Sequence, residues 1–205
     1  MQDLHRALAD IAEIRGQMAR GTVFHGYGPA ALAATGGLAL VAALAQGSLI
    51  DDPARDIVAY LALWIGTAIV SVAIVGIEAI RRSRRVHSGL ADDMIQAAAE
   101  QFLPAAVSGA LLTLVILRFA PESLWMLPGL WQLVFSLGVF ASCRSLPRPM
   151  IAIAVWYLAT GLACLALAQG AAAFSPWAMG VPFACGQVLA AVLLRRSDGG
   201  HDGEA

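Results

Sequence analysis

Few residues in this chain could do chemistry, and they are scattered through long apolar stretches. Gln132 and Gln187 stand deep inside two of them, with Thr35, Thr67, Ser71, Ser108, Ser136 and Thr160 at comparable depth elsewhere. Gln132 and Gln187 are therefore candidates for lining an intramembrane polar cavity. The simpler reading is interhelical hydrogen bonding, worth about 0.6–2 kcal/mol a contact in a membrane. It is preferred because no charge lies near the middle of a stretch, where charges mark function. Glu78, Glu100 and His25 lie at the edges of the apolar stretches. Such a trio could bind a metal or relay a proton, but its spacing is specific to neither. Glu78 also has a plainer role, four residues ahead of Arg82 on one helix face. Cys143, Cys164 and Cys185 form no C-x-x-C pair and fall in or beside apolar segments. They read as small buried hydrophobes rather than redox or metal groups.

Several chemistries are missing. All thirteen basic residues are arginine, so no lysine amine exists for Schiff-base catalysis. There is no H-E-x-x-H, G-x-S-x-G, P-loop or G-x-G-x-x-G. No pair of acids lies in mid-stretch for proton coupling. These absences argue against an enzyme, and no catalytic, cofactor or metal residue is assigned. A net charge of −1 gives no reason to expect direct nucleic-acid binding.

The elements that must position these residues follow from composition. The chain is 59% hydrophobic and 13% charged, with mean hydropathy +0.73. A soluble domain is about a quarter charged, so this chain cannot coat a water-facing surface. It is expected to be an all-α integral membrane protein in the lipid bilayer. Apolar runs place six spans at about 27–45, 57–80, 102–119, 124–142, 150–168 and 177–194. Each approaches the roughly 20 residues a helix needs to cross the hydrocarbon. Polar connections are expected over 46–56, 120–123, 143–148 and 169–176.

Orientation hangs on Arg81, Arg82, Arg84 and Arg85, which come directly after the second span. Clustered cations beside a span stay cytoplasmic. Arg6, Arg15, Arg20, Arg144, Arg148, Arg195 and Arg196 fall on the same side, and only Arg55 and Arg118 on the other. Both termini are then cytoplasmic. Trp125 and Trp177 open spans four and six at the outer face, as interfacial aromatics do.

Residues 1–26 are expected to be a cytoplasmic amphipathic helix and hinge, 27–194 the six-helix membrane domain, and 195–205 a disordered cytoplasmic tail. No cleavable leader is expected. Leu4, Leu8, Ile11, Ile14 and Met18 recur at helical spacing, opposite Asp3, Arg6, Asp10, Glu13, Gln17 and Arg20. This stripe is a candidate docking face for a soluble partner. A second amphipathic stretch is read over 86–100, with Ser88 as its N-cap.

Weak internal repetition suggests three hairpins. Spans four and six each place Trp near the outer end, then Pro128 or Pro182, then Gln132 or Gln187. The prolines should kink their helices. Small residues four apart, such as Ala39/Ala43, Ala159/Ala163, Gly180/Ala184 and Gly186/Ala190, let membrane helices approach closely.

The head Asp3-Leu4…Ile14-Arg15…Met18-Ala19-Arg20-Gly21-Thr22…Phe24 resembles the opening of a family of small bacterial multi-pass membrane proteins without assigned activity. The family pattern is roughly D-L-x-x-I-R-x-x-M-x-R-S/T-x-F. Leu127-Pro128-Gly129-Leu130-Trp131-Gln132-Leu133 and Arg148-Pro149…Gly161-Leu162 are similar to its middle. The chain departs at Phe183-Ala184-Cys185-Gly186-Gln187, where the family has F-G-x-x-H. The resemblance implies the bacterial inner membrane. By the family's association with small winged-helix regulators, it also implies a cytoplasmic protein partner.

The leading functional expectation is a non-enzymatic regulator or scaffold that presents a cytoplasmic helical face to that partner. The alternative is a carrier or receptor for a small apolar molecule or lipid. The pattern fixes no oligomeric state. Reporter fusions after residues 50, 87, 121, 146 and 172 should alternate out, in, out, in, out. Two adjacent fusions on one side would end the six-span reading. Replacing Arg81, Arg82, Arg84 and Arg85 together with Asn should scramble that pattern.

Overall fold

A computed structural model describes residues 28–86, 91–143 and 150–199. The stripe at 2–20, His25, Ser88, Arg144 and Arg148 lie outside the described residues, as do the side chains of Arg84 and Arg85. Six α-helices occur in order: α1 (Pro29–Leu49), α2 (Ile57–Val86), α3 (Ala91–Phe119), α4 (Leu127–Ser142), α5 (Ile151–Leu167) and α6 (Pro176–Gly199). Short 3-10 turns at Pro121–Met126 and Gly170–Phe174 lead into α4 and α6. No strand occurs among the described residues. This is the expected outcome in hydrocarbon, where a helix satisfies its own backbone and an open strand cannot.

Five helices are long and apolar enough to cross a membrane. The sixth, α5, is apolar but only 17 residues long. At 1.5 Å per residue it reaches about 26 Å, short of a core about 30 Å thick. The chain breaks at Ala168 and Gln169 before the next 3-10 turn.

Several boundaries differ from the sequence reading: α2 continues past residue 80 through the arginines to Val86, and α4 begins at Leu127 after a 3-10 turn. Helix α1 does not stop at Ala45 but runs through Gln46 to Leu49, with Gln46 fully buried. Its amide is held by partners far away in sequence, so a polar side chain continues the helix. The stretch read as ending at residue 100 and the span read from 102 are one helix, α3, with Pro104 inside it. Pro104 deprives only the carbonyl of Glu100 of its donor, and Glu100 is exposed. Helix α6 continues beyond Leu194 to Gly199, so the polar tail begins within it.

Proceeding round the bundle, each helix packs on its sequence neighbours, and α6 returns to α1. The α1–α6 and α4–α5 pairs are the most intimate. Small residues make them so. A Cβ at Gly180 would meet Ala43 Cβ at 2.6 Å, and one at Gly36 would meet the Ala184 carbonyl at 3.2 Å. Between α4 and α5, Gly129 and Gly161 face one another, each 2.9 Å from the other's carbonyl if it carried a Cβ. Ala159 and Ala163, by contrast, are exposed, so that spacing makes no helix pair.

The bundle has an apolar core with a few polar side chains set into it, and an apolar outside. Gln46, Gln132 and Ser136 are fully buried, while Val41, Leu44, Ile69, Val72, Leu114 and Leu167 are 60–83% exposed. A water-soluble monomer does not show so much contiguous apolar surface. The helices suit a multi-pass membrane protein.

Gly161→Ala and Gly129→Ala should each destabilise the fold by about 1–3 kcal/mol, since the new methyl meets backbone. Gly37→Ala and Gly66→Ala, with nothing within 4 Å, should be neutral or gain up to about 1 kcal/mol of helix propensity. Thermal unfolding of the four variants in one detergent checks the contrast.

Candidate functional site

Proline sets the first feature. Pro182 lies inside α6 and has no N–H to offer the carbonyl four residues earlier, that of Ala178. The Gln132 Nε2 donates to the Ala178 carbonyl at 3.0 Å and to its own Pro128 carbonyl at 3.1 Å. An amide from α4 thus replaces the donor that proline removed. On the other side of the kink, Trp156 Nε1 donates to the Pro182 carbonyl at 2.9 Å. Gln132 is a strut of the proline kink. Its Oε1 and the hydroxyl of Tyr60 are buried without a hydrogen-bond partner among the described residues.

Two further struts tie hairpins. Trp64 Nε1 donates to Gln46 Oε1 at 2.8 Å across α1 and α2. Trp131 Nε1 donates to Thr113 Oγ1 at 2.8 Å across α3 and α4. Both pairs are 18 residues apart in sequence. Gln46 also donates from Nε2 to the Phe174 carbonyl at 2.6 Å, anchoring the last 3-10 turn. The repeated spacing of a tryptophan after a polar residue was the one signal in sequence for these struts.

Between the struts lies a cavity of about 690 Å³, within the range of about 300–1,000 Å³ that holds small molecules. Thr35 and Ala39 of α1 and Met179, Phe183 and Gln187 of α6 form its floor, beside Trp131, Val134 and Phe135 of α4. Helix α5 contributes nothing. The mouth is lateral, between α2 and α3. There Ile65, Ile69 and Val72 face Ala106, Ala110 and Leu114, and all six are exposed. Small residues hollow it out, since Ala105, Ala106, Gly109 and Ala110 stand on α3 where larger chains would fill the gap.

Its polar lining is mostly spoken for. Thr35, Thr67 and Thr113 donate their hydroxyls to carbonyls of their own helices at 2.7–2.8 Å. The indoles of Trp64 and Trp131 are used in the struts. Gln187 and Ser71 line the cavity as well, and Gln187 interacts with the Tyr157 hydroxyl on α5. Among the described residues the lining is mostly aromatic and aliphatic, a surface suited to apolar matter.

The two glutamines singled out in sequence therefore part company. Gln187 borders the cavity, and Gln132 is spent on the kink. Glu78 and Glu100 also have separate neighbours. The Glu78 side chain packs on Gly28, the N-cap of α1, with Cγ 2.8 Å and Oε1 3.0 Å from where a Cβ would stand. A carboxylate there meets the positive end of the helix. Glu100 instead accepts from Gln96 Nε2 at 2.8 Å. Among the described residues no three His, Cys, Asp or Glu gather to hold a metal ion. Arg81 is exposed and Arg82 half-buried in the C-terminal part of α2. Cys143 lies just past α4, its thiol donating to the Val139 carbonyl at 3.2 Å. Burial pushes that thiol up from its ordinary value, which makes it a poor nucleophile.

Gln132→Leu should lower stability by about 1–3 kcal/mol, the cost of a buried carbonyl left alone. In a Pro182→Ala background the Ala178 carbonyl regains a helical donor, and the same change should cost markedly less. A double-mutant cycle on thermal or denaturant unfolding measures that coupling, and additive effects would refute the strut. No family model, curated protein or solved structure matches this chain, so its function is argued from this geometry.

Proposed function

We propose that the chain is a six-span bacterial inner-membrane protein, with both termini cytoplasmic, that receives or carries one apolar molecule taken sideways from the bilayer. The observation that carries this is the apolar cavity opening between α2 and α3. Protein interiors pack to crystal-like density, and voids larger than a water molecule are few. A hollow of about 690 Å³ walled by aromatic and aliphatic side chains is thus a place for a guest. Its mouth lies among exposed apolar residues, so the guest comes from hydrocarbon and leaves to it. The role is binding.

The docking stripe of Leu4, Leu8, Ile11, Ile14 and Met18 supports a second part of the proposal. A receptor that senses a membrane-borne molecule needs a cytoplasmic reader, and an amphipathic segment ahead of the first span suits a soluble partner helix. That partner would be a protein, with a winged-helix regulator suggested by family association alone.

The test is to plug the cavity from its mouth. Ala110→Phe and Ala106→Trp add bulk on α3 where a guest would lie. Val41→Phe, on a lipid-facing surface 61% exposed, is the control. Native mass spectrometry after mild delipidation should find a retained apolar molecule on the wild type and the control. Occupancy should fall at least tenfold in either plugged variant, with circular dichroism unchanged. Full retention in both plugged variants would overturn the reading.

A further inference from the structure

Arg118 is one of only two arginines on the outer side of the predicted topology, and the other, Arg55, is paired with Asp52 at 3.2 Å in an exposed loop. Arg118 makes no ion pair among the described residues. It is exposed in the last turn of α3, with its guanidinium 5.5 Å from the Phe119 ring centroid. Leu114 lies one turn below it, so the two share a helix face. Leu114 is also the residue at which two hollows meet. One is the lateral cavity. The other is a shallow depression on α3 lined by Leu111, Leu114, Val115 and Arg118 among others. Arg118 therefore stands about one helical turn beyond the mouth's Leu114 on α3.

The geometry points to an anionic phospholipid of the outer leaflet as the guest, its phosphate on Arg118 and one acyl chain in the cavity. This rests on the cavity reading above and names the ligand class for it. Three observations support it. The first is charge, since arginine holds a phosphate in a fork of donors. The second is depth. Arg118 is about 6 Å above Leu114 along the helix, whereas Arg81 is about 14 Å beyond Val72 at the other end of the mouth. Only Arg118 is close enough for a headgroup whose chain lies between α2 and α3. The third is length. On α3 the lining runs from Phe102 to Leu114, about 18 Å at the helical rise. One leaflet of hydrocarbon is about 15 Å deep, so the cavity accepts a chain rather than a compact solute.

The surrounding charges sharpen the expectation. Asp51, Asp52, Asp56 and Glu122 are all exposed on the same outer rim. Asp52 is already paired with Arg55, while Asp51, Asp56 and Glu122 would repel a phosphate. Among the described residues Arg118 is the remaining cation on that rim to offset them. Removing it should reverse the headgroup preference rather than merely weaken it.

The experiment uses the full chain in nanodiscs or micelles with equal phosphatidylglycerol and phosphatidylcholine, and native mass spectrometry counts the lipid retained. Wild type should prefer phosphatidylglycerol about five-fold, the equivalent of one arginine near a lipid surface. Arg118→Gln should bring that ratio to one or below, while Arg118→Lys keeps most of it. Arg81→Gln with Arg82→Gln should leave it unchanged, and excess inorganic phosphate should not displace the lipid. A preserved ratio in Arg118→Gln overturns the inference. So does a ratio that tracks Arg81 and Arg82, or displacement by free phosphate, which would mark a simple anion site. Ala110→Phe separates the two levels. If it abolishes retention of both lipids while Arg118→Gln changes nothing, the headgroup assignment alone fails. If it abolishes neither, the cavity reading fails with it.

Discussion

Hydrocarbon offers no hydrogen bonds, so a backbone polar group left open inside the bundle is costly unless another group answers it. The kink at Pro182 is where this constraint acts most strongly. Proline leaves the Ala178 carbonyl without its helical donor, and Gln132 reaches over from α4 to supply one at 3.0 Å. That reach fixes how α4 sits against α6. The nearby Gly129–Gly161 contact fixes how α4 sits against α5. On the far side of the kink, Trp156 ties α5 to the Pro182 carbonyl. A single missing N–H thus draws hydrogen bonds from both α4 and α5 onto α6, beside the part of the cavity wall that Phe183 and Gln187 form.

The same constraint explains why the polar atoms near the cavity are quiet. Thr35, Thr67 and Thr113 return their hydroxyls to their own helices, and both cavity tryptophans donate to side chains of the preceding helix. The surface left facing the hollow is mainly aromatic faces and methyl groups. A hollow lined this way offers shape and apolarity, and among the described residues charge lies only at its rim.

How much of this was legible in the sequence depends on the range of the interaction. The apolar helices and the clustered arginines in the last turns of α2 are local patterns, and hydropathy with period found them. Gln46 was misplaced in a loop because glycine, serine and aspartates come after it. Its partners, Trp64 and the Phe174 carbonyl, are 18 and 128 residues away, beyond the reach of any window. Gln132 and Gln187 looked equivalent in the repeat, each trailing a proline at similar depth. One trails by four residues and the other by five. That one-residue offset turns the side chain by about 100° on a helix, so one amide serves the kink and the other borders the cavity. Cavities themselves leave no mark in one chain, because they arise where helices fail to meet.

Where they fail to meet also has a cause. Without water to drive helices together, association in lipid rests on close backbone approach and on hydrogen bonds. The α1–α6 and α4–α5 pairs have small residues pressed against backbone. The α2–α3 pair lacks this at the level of the cavity. Gly66 and Gly76 have nothing within 4 Å, and among the described residues no hydrogen bond joins 64–72 of α2 to 105–114 of α3. The apolar windows of α2 and α3 are only 17% and 11% buried, against 39% for those of α1, α4 and α6. Helices α2 and α3 are each tied outward, α2 to α1 through Trp64 and α3 to α4 through Trp131, Phe102 and Gly138, rather than to one another. Lipid competes best with protein along the seam between α2 and α3, where Ala106 and Ala110 of α3 are exposed.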